Sequence, residues 1–302
     1  MDGRNIGASV RDRLKRRADA RKENFQLVLV RYAIERLLYR IGASEHGSQF
    51  VLKGAMLFSL WAREPYRSTG DLDLLGYGNA GLERLVAVFA DICRTPVPPD
   101  GMLFEPGSIV AEATRARDEY SGARLKLMAF IDSAAIRVQI DIGFGDIVTP
   151  AAVEVDFPSL VDMPAPRLRA YPPETVVAEK FQAIVALGMA NTRMKDFFDI
   201  WMISQLFAFD GMVLAQAVRM TFLHRGTPFP SQTPAALTDA FALDKRRQVQ
   251  WQAFLGRTAV KRQTGSLAAP VDAIAAFVMP PTRALASREP FDRTWRPGGP
   301  WS

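Results

Sequence analysis

The segment that most constrains this chain is residues 50–75, FVLKGAMLFSLWAREPYRSTGDLDLL. A short apolar run, Phe50–Leu52, leads into Lys53-Gly54-Ala55 and an apolar helical stretch through Trp61. A polar, turn-prone stretch follows, and Asp71-Leu72-Asp73-Leu74-Leu75 closes the segment. In an extended strand alternate side chains point to opposite faces, so Asp71 and Asp73 project together while Leu72 and Leu74 enter the core. Two carboxylates about 7 Å apart on one strand face repel and gain nothing structurally. A divalent cation between them removes that cost, since hard oxygen ligands are what Mg²⁺ takes. A solvated strand edge with two incidental acids shows the same spacing. The glycine turn ahead of it, with Arg67 and Thr69 just before the strand, weighs toward a site.

The bulk properties set bounds around this segment. A chain of 302 residues, 48% hydrophobic and 23% charged, has room for one large domain or two smaller ones with real cores. The single Cys93 rules out a disulfide framework and fits a reducing cytoplasm. The N-terminus opens polar and charged, without an apolar signal core, and no apolar run approaches membrane-spanning length. A net charge of +6 favours an anionic partner, nucleic acid or polyphosphate. Two histidines, His46 and His224, leave no HExxH, no zinc cluster and no Ser-His-Asp set.

In chain order, residues 8–42 read as helices. Arg11, Arg13, Lys15, Arg16, Arg17, Arg21 and Lys22 form a basic stretch that suits either a solvated face or a nucleic-acid contact. Residues 25–40 carry apolar positions at helical spacing and predict a helix packed on a sheet. Residues 81–94 predict an amphipathic helix, with Cys93 an inert core thiol, ended by Pro96, Pro98 and Pro99. Alternation over 124–130 and 136–142, with a turn at 132–135, predicts an antiparallel hairpin. Its second strand carries Asp141 on the polar face with Arg137 and Gln139. A D-x-D strand joined by a later strand with one more carboxylate is what a two-metal phosphoryl-transfer site needs. An aspartate capping the turn at Gly143-Phe144-Gly145 is the plainer alternative.

Pro158 to Pro173 is proline-rich and places a domain boundary, dividing the chain into 1–160 and 161–302. Beyond it a helix opens at Pro172-Pro173-Glu174, carries Ala178-Glu179-Lys180 and ends near Gly188. On the next helix Arg193, Asp196 and Asp199 recur every three residues and share one side; an ordinary Lys195–Asp199 surface pair is also compatible. Helical patterning continues over 201–223, 233–256 and 270–279. Lys245, Arg246, Arg247, Arg257, Lys261 and Arg262 lie near Trp251 and Phe254, a pattern suited to RNA or, at this spacing, to a core. The tail, Trp295-Arg296-Pro297-Gly298-Gly299-Pro300-Trp301, shows no regular-structure propensity.

The strand, helix and D-x-D of residues 50–75 resemble the polymerase-β-type nucleotidyltransferase signature. The longer pattern K-G-x…R-x-[ST]-x-D-L-D-L resembles the AbiEii/AbiGii toxin family of nucleotidyltransferases, the toxin half of bacterial abortive-infection toxin–antitoxin pairs. Ala55 departs from it, standing where a Gly or Ser is expected. D-I-G-F-G-D around Asp141, then A-E-K with R-x-K-D-x-x-D, resemble later motifs of the same family in the same order, and the tail is similar to family tails.

The resemblance implies an α/β (α+β) fold: a polymerase-β-like nucleotidyltransferase domain with a small mixed sheet, followed by a mostly helical domain. It implies NTP-dependent nucleotidyl transfer, with Asp71, Asp73 and Asp141 as Mg²⁺ ligands. Lys53, Gly54, Arg67, Thr69, Lys180 and Arg193 would serve the nucleotide, and Asp196 would orient Lys180 or accept a proton. It also implies the 3′ end of tRNA as acceptor and a cognate antitoxin as partner. A small hydroxyl acceptor such as an antibiotic, and an inactive nucleotide- or RNA-binding module, are the alternatives.

Overall fold

The computed structural model describes residues 6–61, 70–115, 121–256 and 265–302. The chain divides into two compact units. The first comprises residues up to Gly145 together with Val153–Ala170, and the second Asp146–Ala152 together with Tyr171–Ser302. The division falls at Ala170, not at the expected residue 160.

The first unit is a mixed sheet with helices. Its elements are α1 (Ile6–Arg21), α2 (Phe25–Ala43), β1 (Phe50–Lys53), α3 (Leu57–Trp61), β2 (Asp71–Gly76), α4 (Leu82–Arg94), β3 (Met102–Arg115), β4 (Ser121–Ile131), β5 (Ala134–Phe144), β6 (Val153–Asp156) and β7 (Arg167–Ala170). The seven strands lie in the order β3-β4-β5-β2-β1-β7-β6. β2 runs parallel to β5, and β1 parallel to β7; the other neighbours are antiparallel. The expected hairpin is β4–β5, turning at Asp132 and Ser133 with Asp132 at φ 50°. Leu125, Leu127, Val138, Ile140 and Ile142 are buried on its core face. α2 packs against β5 and β7, and α4 against β3. Cys93 on α4 is half-buried, and burial pushes its thiol up to about 11.

α2 carries charge inward as well as apolar surface. Arg31, Glu35, Arg36 and Arg40 are all buried. Arg40 forks onto Asp100, its Nη1 donating to Oδ2 at 2.6 Å and its Nη2 to Oδ1 at 3.2 Å. Glu35 accepts from Ser159 Oγ at 2.7 Å and Leu160 N at 2.8 Å, while Arg36 Nη2 donates to Pro164 O at 3.0 Å. Buried charges need such partners. They fasten the proline-rich stretch to α2, and β7 then enters the sheet beside β1. That stretch is therefore part of the first unit.

The second unit is helical: α5 (Pro173–Leu187), α6 (Met194–Leu206), β8 (Phe209–Asp210), α7 (Gly211–His224), α8 (Asp239–Ala242), α9 (Lys245–Leu255), α10 (Ala268–Ser287) and β9 (Thr294–Trp295). Residues 146–152 belong here because Arg225 Nη2 donates to Asp146 Oδ1 at 2.7 Å and Thr175 Oγ1 to Thr149 O at 2.8 Å. Trp251 is fully buried beside Phe198 and against the half-buried Phe254, so the tryptophan belongs to the core and offers no stacking surface.

Two expectations fail at the end of the chain. α10 does not stop at residue 279 but runs through Pro280 and Pro281. A proline inside a helix strands the carbonyl four residues earlier. For Pro281 that is Phe277 O, and Trp301 Nε1 of the tail donates to it at 2.9 Å. The tail is also ordered: β9 pairs with β8, and Trp295 Nε1 and Gly298 N both donate to Ser204 O in the last turn of α6. A helix end leaves such carbonyls without partners, so the tail caps α6. Gly299, at φ 82°, sits where a Cβ would fall 2.6 Å from the Trp295 ring.

Candidate functional site

Strand register brings the acids of the first unit into one row. Lys53 on β1 lies opposite Asp73 on β2, Asp73 beside Asp141 on β5, Asp141 opposite Arg124 on β4, and Arg124 opposite Glu112 on β3. Residues paired in register point to the same face. Asp71, two residues before Asp73, shares that face and lies beside Gln139. Leu72 and Leu74 go to the buried side, as the alternation predicts.

Gly54 makes room for this row. It adopts φ 73°, and a Cβ there would fall 2.0 Å from Asp73 Oδ2. The glycine therefore serves two needs, a left-handed backbone and a close approach of the Asp73 carboxylate. Arg67 and Thr69 lie outside the described residues.

Asp141 is held by Arg124 of β4, a residue that the sequence did not single out. Arg124 Nε donates to Asp141 Oδ1 at 2.7 Å and its Nη2 to Oδ2 at 3.0 Å. Gln139 Nε2 reaches Oδ2 at 3.4 Å. Asp141 is thus not simply the cap of the glycine turn. The hydrogen bonds that Arg124 donates to Asp141 and the charge of that carboxylate, followed by the charges of Glu112 and Asp71, raise the guanidinium above its ordinary pKa.

Carboxylates on adjacent strands of one face are a suitable donor set for a hard divalent cation, and the register of Asp71, Asp73 and Asp141 fits one. Among the described residues no three acidic, histidine or cysteine side chains already converge as a metal cluster. Asp141 gives both oxygens to Arg124 instead.

In the second unit, Lys180 on α5 meets two aspartates of α6. Its Nζ lies 2.8 Å from Asp196 Oδ1 and 2.9 Å from Asp199 Oδ2. Asp196 Oδ2 also meets Arg193 Nε at 2.6 Å. Both aspartates are buried, the Lys180 side chain is 14% exposed and that of Arg193 49%. Burial would raise the Asp196 pKa, but Lys180 and Arg193 outweigh it and hold the carboxyl below its ordinary value. Burial likewise disfavours the Lys180 charge, and Asp196 and Asp199 reverse that. An aspartate with both oxygens in ion pairs suits the orienting role better than that of proton acceptor. Asp199, compatible from sequence with a surface pair, faces Lys180; the three-residue spacing was the visible signal.

The family model for the nucleotidyl transferase AbiEii toxin of type IV toxin–antitoxin systems matches residues 36–277. The chain belongs to this family. No curated protein matches it. Two crystal structures from Helicobacter pylori are similar at 13% identity. One, of a protein described as a candidate nucleotidyltransferase, has a TM-score of 0.50 and covers 87% of this chain and 98% of its own. The other, JHP933, has a TM-score of 0.46 and covers 88% and 98%. The first likeness concerns the fold. No helix among the described residues is long and apolar enough to cross a membrane.

Proposed function

We propose that this chain is a Mg²⁺-dependent nucleotidyltransferase that moves a nucleoside monophosphate from an NTP to the 3′ end of tRNA. It would act in the cytoplasm as a toxin restrained by a cognate antitoxin. The observation that carries this reading is the register of Asp73 with Asp141 on parallel strands, with Asp71 on the same face and Gly54 clearing space for Asp73.

Asp71, Asp73 and Asp141 would hold the metal, which when bound neutralises phosphate charge and lowers the pKa of the attacking hydroxyl. Asp141 orients that hydroxyl. Its oxygen would bond to the α-phosphorus as its proton passes to solvent, the bond from that phosphorus to the bridging oxygen would break, and pyrophosphate would leave. Lys53, Gly54, Arg67 and Thr69 serve the nucleotide phosphates. Lys180 and Arg193 supply positive charge for the triphosphate, and Asp196 fixes both cations. Rate enhancement then comes mainly from positioning and charge neutralisation. The net charge of +6 and the basic residues of α1 support a nucleic-acid acceptor.

The test is incubation of purified protein with Mg²⁺, total tRNA and each α-labelled NTP in turn, resolved on a gel. Label entering tRNA, lost with Asp73→Asn, supports the proposal. Absence of label in tRNA despite nucleotide binding overturns the acceptor assignment, leaving a small hydroxyl compound or an inactive module.

A further inference from the structure

The proposed metal face contains a cation of its own. Arg124 and Asp141 form a bidentate fork in the middle of the polar row, with side chains 37% and 27% exposed. A solvent-accessible pair of this kind contributes little to the stability of a fold, so holding the sheet together gives it no strong reason to exist. Three carboxylates on adjacent strands, however, repel unless a positive charge lies among them. Arg124 supplies one such charge, forked onto Asp141 in the middle of the row. The guanidinium fork that fits a carboxylate fits a phosphate equally well.

We propose that Arg124 is a resident counter-cation of the acid face, held on Asp141, and changes partners when metal and nucleotide arrive. Asp141 passes its oxygens from the guanidinium to the divalent cation, and the freed fork takes phosphate oxygens of the NTP. This rests on the reading of Asp71, Asp73 and Asp141 as the metal ligands. Arg124 thus opposes metal binding when nucleotide is absent and favours it when nucleotide is present. Such an arrangement couples the two ligands, each raising the affinity for the other.

The test is a titration of the full chain with Mn²⁺ alone, followed by electron paramagnetic resonance of free Mn²⁺. It is repeated with αβ-methylene analogues of the four common NTPs at saturating Mn²⁺. Arg124→Ala should bind Mn²⁺ alone about fivefold tighter, the pair it must break being gone. The same variant should bind the nucleotide analogue roughly tenfold or more weakly. Arg124→Lys, which keeps the charge but not the fork, should fall between. The Mn²⁺ titration decides: unchanged or weaker Mn²⁺ binding by Arg124→Ala, with wild-type thermal unfolding, overturns the exchange. Equal Mn²⁺ binding by wild type and Asp73→Asn instead overturns the metal assignment itself. The two failures are distinct because Asp73→Asn leaves the Arg124–Asp141 pair in place.

Discussion

Gly54 and Asp73 are opposed so closely that a Cβ on the glycine would fall 2.0 Å from the aspartate's Oδ2. The glycine of the first motif is therefore explained by an acid of the second, 19 positions along in the same segment. Gly54→Ala should cost about 1–2 kcal/mol for the left-handed backbone and displace the Asp73 carboxylate. A displacement near 1 Å is expected to lower transfer roughly 100-fold. Urea unfolding and the labelled-tRNA assay measure the two effects. Wild-type transfer by a folded Gly54→Ala protein would remove the close approach from the mechanism.

Asp73→Asn keeps the shape of the side chain and removes its charge. It should unfold within about 0.5 kcal/mol of wild type, as partly exposed substitutions usually do, while transfer is abolished. Retained activity would falsify the metal role of Asp73.

The Lys180–Asp196–Asp199 cluster predicts how the helical unit responds to pH. Asp196 titrates below its ordinary 3.8 in the folded protein, so near pH 4 the unfolded chain binds more protons. Stability is therefore complete above about pH 4 and falls as pH drops through the folded value. Lys180 titrates above its ordinary 10.5; its contribution is complete below that pH and is lost as pH rises through the folded value. In urea unfolding at stepped pH, Asp196→Asn should flatten the acid limb, and a limb of unchanged slope would contradict the assignment. Lys180→Met should cost about 3–5 kcal/mol by leaving buried carboxylates without their cation.

Trp301 replaces the donor that Pro281 lacks at Phe277 O. Trp301→Phe keeps an aromatic ring but removes the N–H, and should cost about 1–3 kcal/mol for the buried carbonyl left unpaired. In a Pro281→Ala background the helix supplies its own donor, so the same substitution should cost less. Equal losses in both backgrounds, read by thermal unfolding, would show that the tryptophan acts through packing alone.

Much of the acid face was legible because strand periodicity is simple. The two-residue alternation of β2 and β5 placed Asp71, Asp73 and Asp141 on polar faces. Counting back from the turn at Asp132 and Ser133 also puts Arg124 opposite Asp141, so their pairing is a signal that the sequence contains. The parallel pairing of β2 with β5 was not legible, since nothing in either strand's alternation names its neighbour. Lys180's partnership with Asp199 was hidden for a related reason: helical spacing shows which residues share a side, not what faces that side. The boundary was misplaced because prolines signal a linker locally, whereas Glu35 and Arg36 tie that linker down from far away in the chain. The prolines of α10 and the glycines of the tail mislead in the same way, each anomaly being compensated by the other.

The chain enters the helical unit at Asp146, returns to the sheet at Val153 and leaves it again at Tyr171. No single crossover between two genes can therefore exchange one unit and keep the other whole. A break at residue 150 would deliver a sheet without β6 and β7; a break at residue 170 would carry a foreign 146–152 segment into the new helical partner. Recombination would conserve the two halves as one inherited piece, and variation would reach the acid face and the Lys180 cluster by point substitution.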